Sequence, residues 1–111
     1  MKSLKTNKDF RRVYNKGKSY ASFYLVLYLL ENKKNFSRNG FSISRKIGKA
    51  VVRNKLKRRM KEIIRSEEEN IKIGYDLIFI ARNPVNKLDF NGLKNETKKL
   101  LKKSGVMKRR K

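Results

Sequence analysis

The side chains of this chain that could do chemistry are almost all cationic. Between Arg53 and Lys61 the sequence runs RNKLKRRMK, which sets Arg53, Lys55, Lys57, Arg58, Arg59 and Lys61 close together with no acid among them. Guanidinium and ammonium groups about one helical turn apart can meet successive phosphates and release the counterions held by a polyanion. Asn54, inside the same run, could hydrogen-bond a base edge or a sugar, or could equally be a weak helix former on a solvated face. Other chemistry is scarce. With no His and no Cys there is no imidazole base, no thiol nucleophile and no nitrogen or sulfur ligand for zinc. The nine carboxylates are scattered as Asp9, Glu31, Glu62, Glu67 to Glu69, Asp76, Asp89 and Glu96, without a spaced pair suited to hold two metal ions for phosphodiester cleavage. No P-loop or GxGxxG occurs, so catalysis by the protein itself has little support.

The charge balance points the same way. Lys and Arg number 32 against 9 Asp and Glu, a net +23 that repels itself in a compact chain unless an anionic partner neutralises it. Such partners are nucleic acid or an acidic membrane. A membrane-surface helix would want bulky aromatics on an exposed apolar face, whereas the apolar residues interleaved here, Val52, Leu56, Met60 and Ile63, read as core. The N-terminus, MKSLKTNKDF, lacks the apolar segment of a signal peptide, and the longest apolar run, Phe23 to Leu30, is too short to span a bilayer. The lack of cysteine fits a reducing compartment. These features lead us to expect a soluble cytoplasmic protein of one domain, residues 1–111, with basic ends at 1–5 and 105–111 that are mobile until bound.

The elements that must position these groups follow from pattern. Thr6 or Asn7 can cap a helix over Asn7 to Lys16, with Asp9 in its first turn, Gly17 as its stop, and Phe10, Val13 and Tyr14 on one face. Lys18 to Leu30 is rich in β-formers and predicts two strands or one bent strand. In the second, Tyr24, Val26, Tyr28 and Leu30 should face one way and Phe23, Leu25, Leu27 and Leu29 the other. The tyrosine side is the better ligand candidate, because its hydroxyls want a wet edge. Glu31 to Asn39 reads as a long hairpin connection, and Phe41, Ile43 and Ile47 alternate with polar residues in a third strand ending near Arg45. At the strand end, Ser42, Ser44, Arg45 and Lys46 could also meet phosphate.

A helix from Ala50 to about Glu68 then carries Val52, Leu56, Met60 and Ile63 on one arc and Arg53, Asn54, Lys57, Arg58, Lys61 and Arg65 on its neighbour. Tyr75 to Ala81 reads as a buried strand, and Asp89 can cap a last helix with Phe90, Leu93, Thr97, Leu100 and Leu101 at helical spacing and Gly105 as its stop. The expected fold class is α+β, an α-β-β-β-α-β-α sandwich with helices packed on a four-stranded mixed sheet and a βαβ crossover through the basic helix.

Four blocks in this order resemble the bacterial ribonuclease P protein family: DFRRVYNKGKS (9–19), FYLVLYLL (23–30), GFSISRKIGKAVVRNKLKRRMKEIIR (40–65) and GYDLIFIAR (74–82). The third contains the Arg-Asn-basic and Lys-Arg hallmark of the family's helix, although Lys49 stands where Asn is common and Arg59-Met60-Lys61 varies the pattern after Lys-Arg. The resemblance implies a partner, a large catalytic RNA. In the holoenzyme that RNA, with Mg²⁺ held mainly by it, removes the 5′ leader of precursor tRNA as an endoribonuclease. It implies that Arg53, Asn54, Lys55, Lys57, Arg58 and Lys61, with Arg45 and Lys46, face the catalytic RNA. It implies that Phe10, Tyr14, Val26 and Tyr28, with Arg12 and Lys18, hold the single-stranded leader in a cleft beside the first helix. It also implies a left-handed crossover, against the general rule. No membrane or small-molecule substrate is expected. The competing readings are a ribosomal protein or general RNA chaperone, and a free-standing nuclease.

Overall fold

The computed structural model describes residues 1–108; the basic tail Arg109 to Lys111 lies outside the described residues. Five strands form one sheet in the order β1-β4-β5-β3-β2, with β1 at Lys2–Ser3, β2 at Lys18–Ala21, β3 at Leu25–Glu31, β4 at Arg38–Ser42 and β5 at Tyr75–Ala81. Three helices accompany it: α1 at Asn7–Lys16, α2 at Ala50–Glu67 and α3 at Phe90–Ser104. β4 runs parallel to β5, so β4, α2 and β5 form the expected βαβ crossover, while β3 pairs antiparallel with both β5 and β2.

The sheet therefore has five strands, not the four expected. The additional strand is Lys2–Ser3, parallel to β4. Two residues are too few to carry a periodic signal, and their pairing is secured by the next residue: Leu4 is buried and its N–H bonds to the Asn39 carbonyl at 2.7 Å. The third strand is also displaced. It spans Arg38–Ser42, and Arg45–Ile47 is a 3-10 turn that leads into α2. In the same way β3 begins only at Leu25, because the Ser22 hydroxyl accepts from the Tyr24 and Leu25 amides and forms a turn. Phe23 and Tyr24 thus fall outside the expected alternation: Phe23 is exposed and Tyr24 packs with the main core.

The helix ends follow their caps. Thr6 Oγ1 accepts from the Asp9 amide at 3.1 Å, and Asp89 Oδ1 accepts from the Gly92 amide at 2.7 Å. Gly105 closes α3 at φ +80°, a left-handed conformation that glycine adopts without cost. Lys49 precedes α2 without any side-chain cap. The acid run at the end of α2, adverse to the helix dipole, is answered by neighbours: Lys98 Nζ on α3 lies 3.8 Å from buried Glu67, and the terminal amine of Met1 pairs with Glu68.

Side chains from the two sheet faces enter two separate cores. On one face α2 and α3 cover Leu25, Leu27, Leu77 and Phe79 with Leu56, Met60, Ile63, Ile64, Leu93, Leu100 and Leu101. On the other, α1 covers Ile78 with Val13, assisted by Leu4 and fringed by Phe10, Tyr14, Tyr28, Leu30 and Ile80. Of the expected apolar arc of α2, Leu56, Met60 and Ile63 are buried but Val52 is 40% exposed. The first turn of α2 overhangs the core, which begins at Leu56.

Candidate nucleic-acid interface

Two surfaces carry the groups singled out in the sequence, and the sheet lies between them. The first is the outer face of α2. Asn54, Lys55, Lys57, Arg58 and Lys61 are exposed, and Arg53 is half-buried with its Nε donating to the Gly48 carbonyl at 3.2 Å. Arg45 and Lys46, in the 3-10 turn just before the helix, are exposed as well. Among the described residues none of these cations is paired with a carboxylate. Nothing within the fold neutralises them, so the face presents a row of strongly hydrated donors to an external anion. The turn itself is held from α3's approach: Asn86 Nδ2 donates to the Ile47 carbonyl at 2.5 Å.

The second surface is a cleft between α1 and the opposite sheet face. Register places Tyr28 beside Ile78, Val26 beside Ile80, and Ser42 beside Ile80 on its other flank. Phe10 and Tyr14, one turn apart on α1, reach over this floor. The Phe10 and Tyr14 ring centroids are 6.3 Å apart, and Tyr14 meets Tyr28 edge-on at 5.1 Å and 81°. All four expected residues, Phe10, Tyr14, Val26 and Tyr28, remain half-buried. Rings packed against one another yet partly exposed to solvent are suited to stacking unpaired bases. Gly40 makes room for this wall, since a Cβ there would come within 2.6 Å of Phe10 Cζ. Gly17 does the same for the helix as a whole, because its Cβ would meet the Val13 and Leu29 carbonyl oxygens at 2.6 and 2.9 Å. Its role is close backbone approach at ordinary φ rather than a left-handed stop.

Two expected leader contacts do not join this cleft. Lys18 pairs with Leu29, and the strand pleat turns it to the α3 side of the sheet, away from Tyr28. Arg12 is turned inward. Its Nη2 donates to Asp76 Oδ2 at 3.1 Å and lies 3.3 Å from Asp9 Oδ1. Arg38 adds Nε to Asp76 Oδ1 at 2.9 Å and Nη2 to Oδ2 at 2.7 Å, and Asn32 Nδ2 donates to Oδ1 at 2.9 Å.

Burial pushes the Asp76 carboxyl up, but the hydrogen bonds from Arg38 and Asn32, the Arg38 charge and the Arg12 bond more than reverse this and hold it below the ordinary carboxylate range. Arg38 is raised in turn, chiefly by its bond to Asp76. This network ties α1 and β4 to β5 at the foot of the cleft, and the sequence reading missed it. The signal was present: Asp76 is a lone acid inside an apolar strand, and a fully buried carboxylate needs partners. Ile80 and Ser42 were missed as floor residues, although the two-residue alternation of β5 puts Ile80 on the Ile78 face.

Among the described residues no three His, Cys, Asp or Glu side chains gather in a way that could hold a metal ion. Among the described residues no helix is long and apolar enough to cross a membrane.

Sequence and fold both have known counterparts. The family described as Ribonuclease P matches residues 1–105. The ribonuclease P protein component of Clostridium botulinum (strain Langeland) is 48% identical over 104 residues, covering 93% of this chain and 94% of the relative. That of Clostridioides difficile is 45% identical, covering 95% and 93%. In three dimensions the chain superposes on the Staphylococcus aureus RNase P protein with a TM-score of 0.91 at 36% identity, covering 97% of this chain and 99% of that one. The Thermotoga maritima RNase P protein gives 0.85 at 34% identity, covering 93% and 97%. Sequence match over nearly the full length and a shared fold agree: the chain belongs to the ribonuclease P protein family.

Proposed function

We propose that the chain serves as the protein subunit of ribonuclease P by dividing two tasks between the two faces of its sheet. The α2 face, with Arg53, Asn54, Lys55, Lys57, Arg58, Lys61, Arg45 and Lys46, docks the catalytic RNA. The cleft of Phe10, Tyr14, Val26 and Tyr28 takes the single-stranded 5′ leader of precursor tRNA. The observation that carries this reading is the separation itself: unpaired cations on one side suit a folded RNA, and open aromatic rings on the other suit unstacked bases. Both can be engaged at once because the sheet stands between them.

Lys18 and Arg12 are not given leader roles. Arg12 instead seats the helix that bears Phe10 and Tyr14. The scissile chemistry, removal of the leader to form the mature tRNA 5′ end, is assigned to the RNA and its Mg²⁺. The protein's contribution is to neutralise phosphate repulsion in the assembly and to add leader contacts that raise affinity for uncut substrate. Its place of work is the cytoplasm, and a short basic lead-in and tail would add nonspecific phosphate contacts.

Cleavage of precursor tRNA tests the reading. Protein with its cognate catalytic RNA at low Mg²⁺ should cut where the RNA alone does so poorly, and protein alone should not cut. Cutting by protein alone would favour a nuclease, and no enhancement over RNA alone would favour a general RNA chaperone.

A further inference from the structure

Beside the cationic face of α2 lies a groove that phosphate binding does not explain. It runs between the first turns of α2 and the Val85–Leu93 segment, has a volume of about 460 Å³, and is walled by Val51, Val52 and Leu88 with Lys55 and Arg59 at its rim. Val51 is 79% exposed, in the most cation-rich stretch of the chain. At about 100° per residue Val51 falls between Arg58 and Lys55 on the helix, so the apolar wall is continuous with the cationic arc rather than opposite it. Whatever docks on that arc meets the groove too. Its one uncharged polar lining residue is Asn86. One Nδ2 hydrogen is used on the Ile47 carbonyl, leaving the second hydrogen and Oδ1 for a ligand.

We infer that this groove receives one unpaired nucleotide of the docked RNA, its base against Val51, Val52 and Leu88 and its flanking phosphates on Lys55 and Arg59. The volume is in the range of small-ligand sites. The charge at the rim selects an anionic polymer over a second copy of this +23 chain, which would be repelled. The Asn86 carboxamide, with an acceptor and a remaining N–H, can meet the polar edge of any base. The inference rests on the reading of α2 as the RNA-docking face.

Titration of the cognate catalytic RNA with the full-length protein across a salt series separates the two ideas. Val51→Thr keeps shape and charge while replacing a methyl by a hydroxyl, and the position is too exposed for a folding cost. It should weaken binding about fivefold at every salt concentration, with the log–log slope unchanged, because apolar burial releases no counterions. Lys57→Ala should instead reduce the slope. Chemical probing of the bound RNA should show one nucleotide protected by the wild-type protein and reactive with Val51→Thr. Wild-type affinity and unchanged reactivity for Val51→Thr, alongside a weakened Lys57→Ala, would overturn the groove alone. Wild-type behaviour of both variants would remove the docking face. A Val51→Thr effect confined to self-association in sedimentation would assign the groove to a second copy and overturn the inference.

Discussion

The α2 face and the α1 cleft are held in place by opposite means. α2 is anchored by Leu56, Met60, Ile63 and Ile64 in the main core, and among the described residues no carboxylate pairs with its binding groups. α1 rests on a small cluster in which only Leu4, Val13 and Ile78 are buried, and relies on ion pairs from Arg12 and Arg38 to Asp76 for the remainder. The cationic face should therefore tolerate surface changes one charge at a time. The cleft should be lost as a unit when its support is removed.

The largest expected effect breaks that contrast at its weaker side. Asp76→Ala leaves the Arg38 and Arg12 guanidinium groups without their buried acceptor and should cost about 3 kcal/mol of stability in urea titration, at the low end for a broken buried pair because Arg12 is partly solvated. The same network fixes a pH dependence. The Asp76 carboxyl is depressed in the folded state, so its contribution is fully present above its unfolded value near pH 4 and is lost as pH falls below that through the lower folded value. Acid titration of the wild type should show this loss, and Asp76→Asn should flatten it. Next in size, Tyr14→Ala or Tyr28→Ala should weaken precursor binding by about 1–3 kcal/mol, measured with holoenzyme at saturating protein. Gly40→Ala forces the Phe10 ring aside and should cost about 1 kcal/mol of stability together with part of the leader affinity. Smallest are single charge deletions on α2. Arg53→Ala or Lys57→Ala should each reduce the salt-dependence slope of catalytic-RNA binding by about one unit, with thermal stability unchanged.

The same contrast explains what could be read from the sequence. α2 is local: its charge density, its buried arc from Leu56 and its boundaries are all written within one segment, as are α1, α3 and β5. The cleft is assembled from Phe10 and Tyr14 on one element, Val26 and Tyr28 on another, and Ile80 and Ser42 on two more. Only the resemblance brought the first four together. Lys18 illustrates the limit, since its place on the strand beside that of Tyr28 says nothing until the pleat assigns it a face. β1 was invisible because two residues have no period, and Val51 stood out only once the helix was known to overhang its core.

The central claim is that RNA docking and leader binding are separable properties of opposite faces. It is tested most directly by binding leader-bearing and leaderless tRNA to holoenzyme made with the Tyr28→Ala protein, and by measuring that protein's affinity for the catalytic RNA. The account predicts that the preference for leader-bearing tRNA falls by about fivefold or more while affinity for the catalytic RNA stays at the wild-type level. Equal losses for the two tRNAs, or a parallel loss of catalytic-RNA affinity, would contradict it.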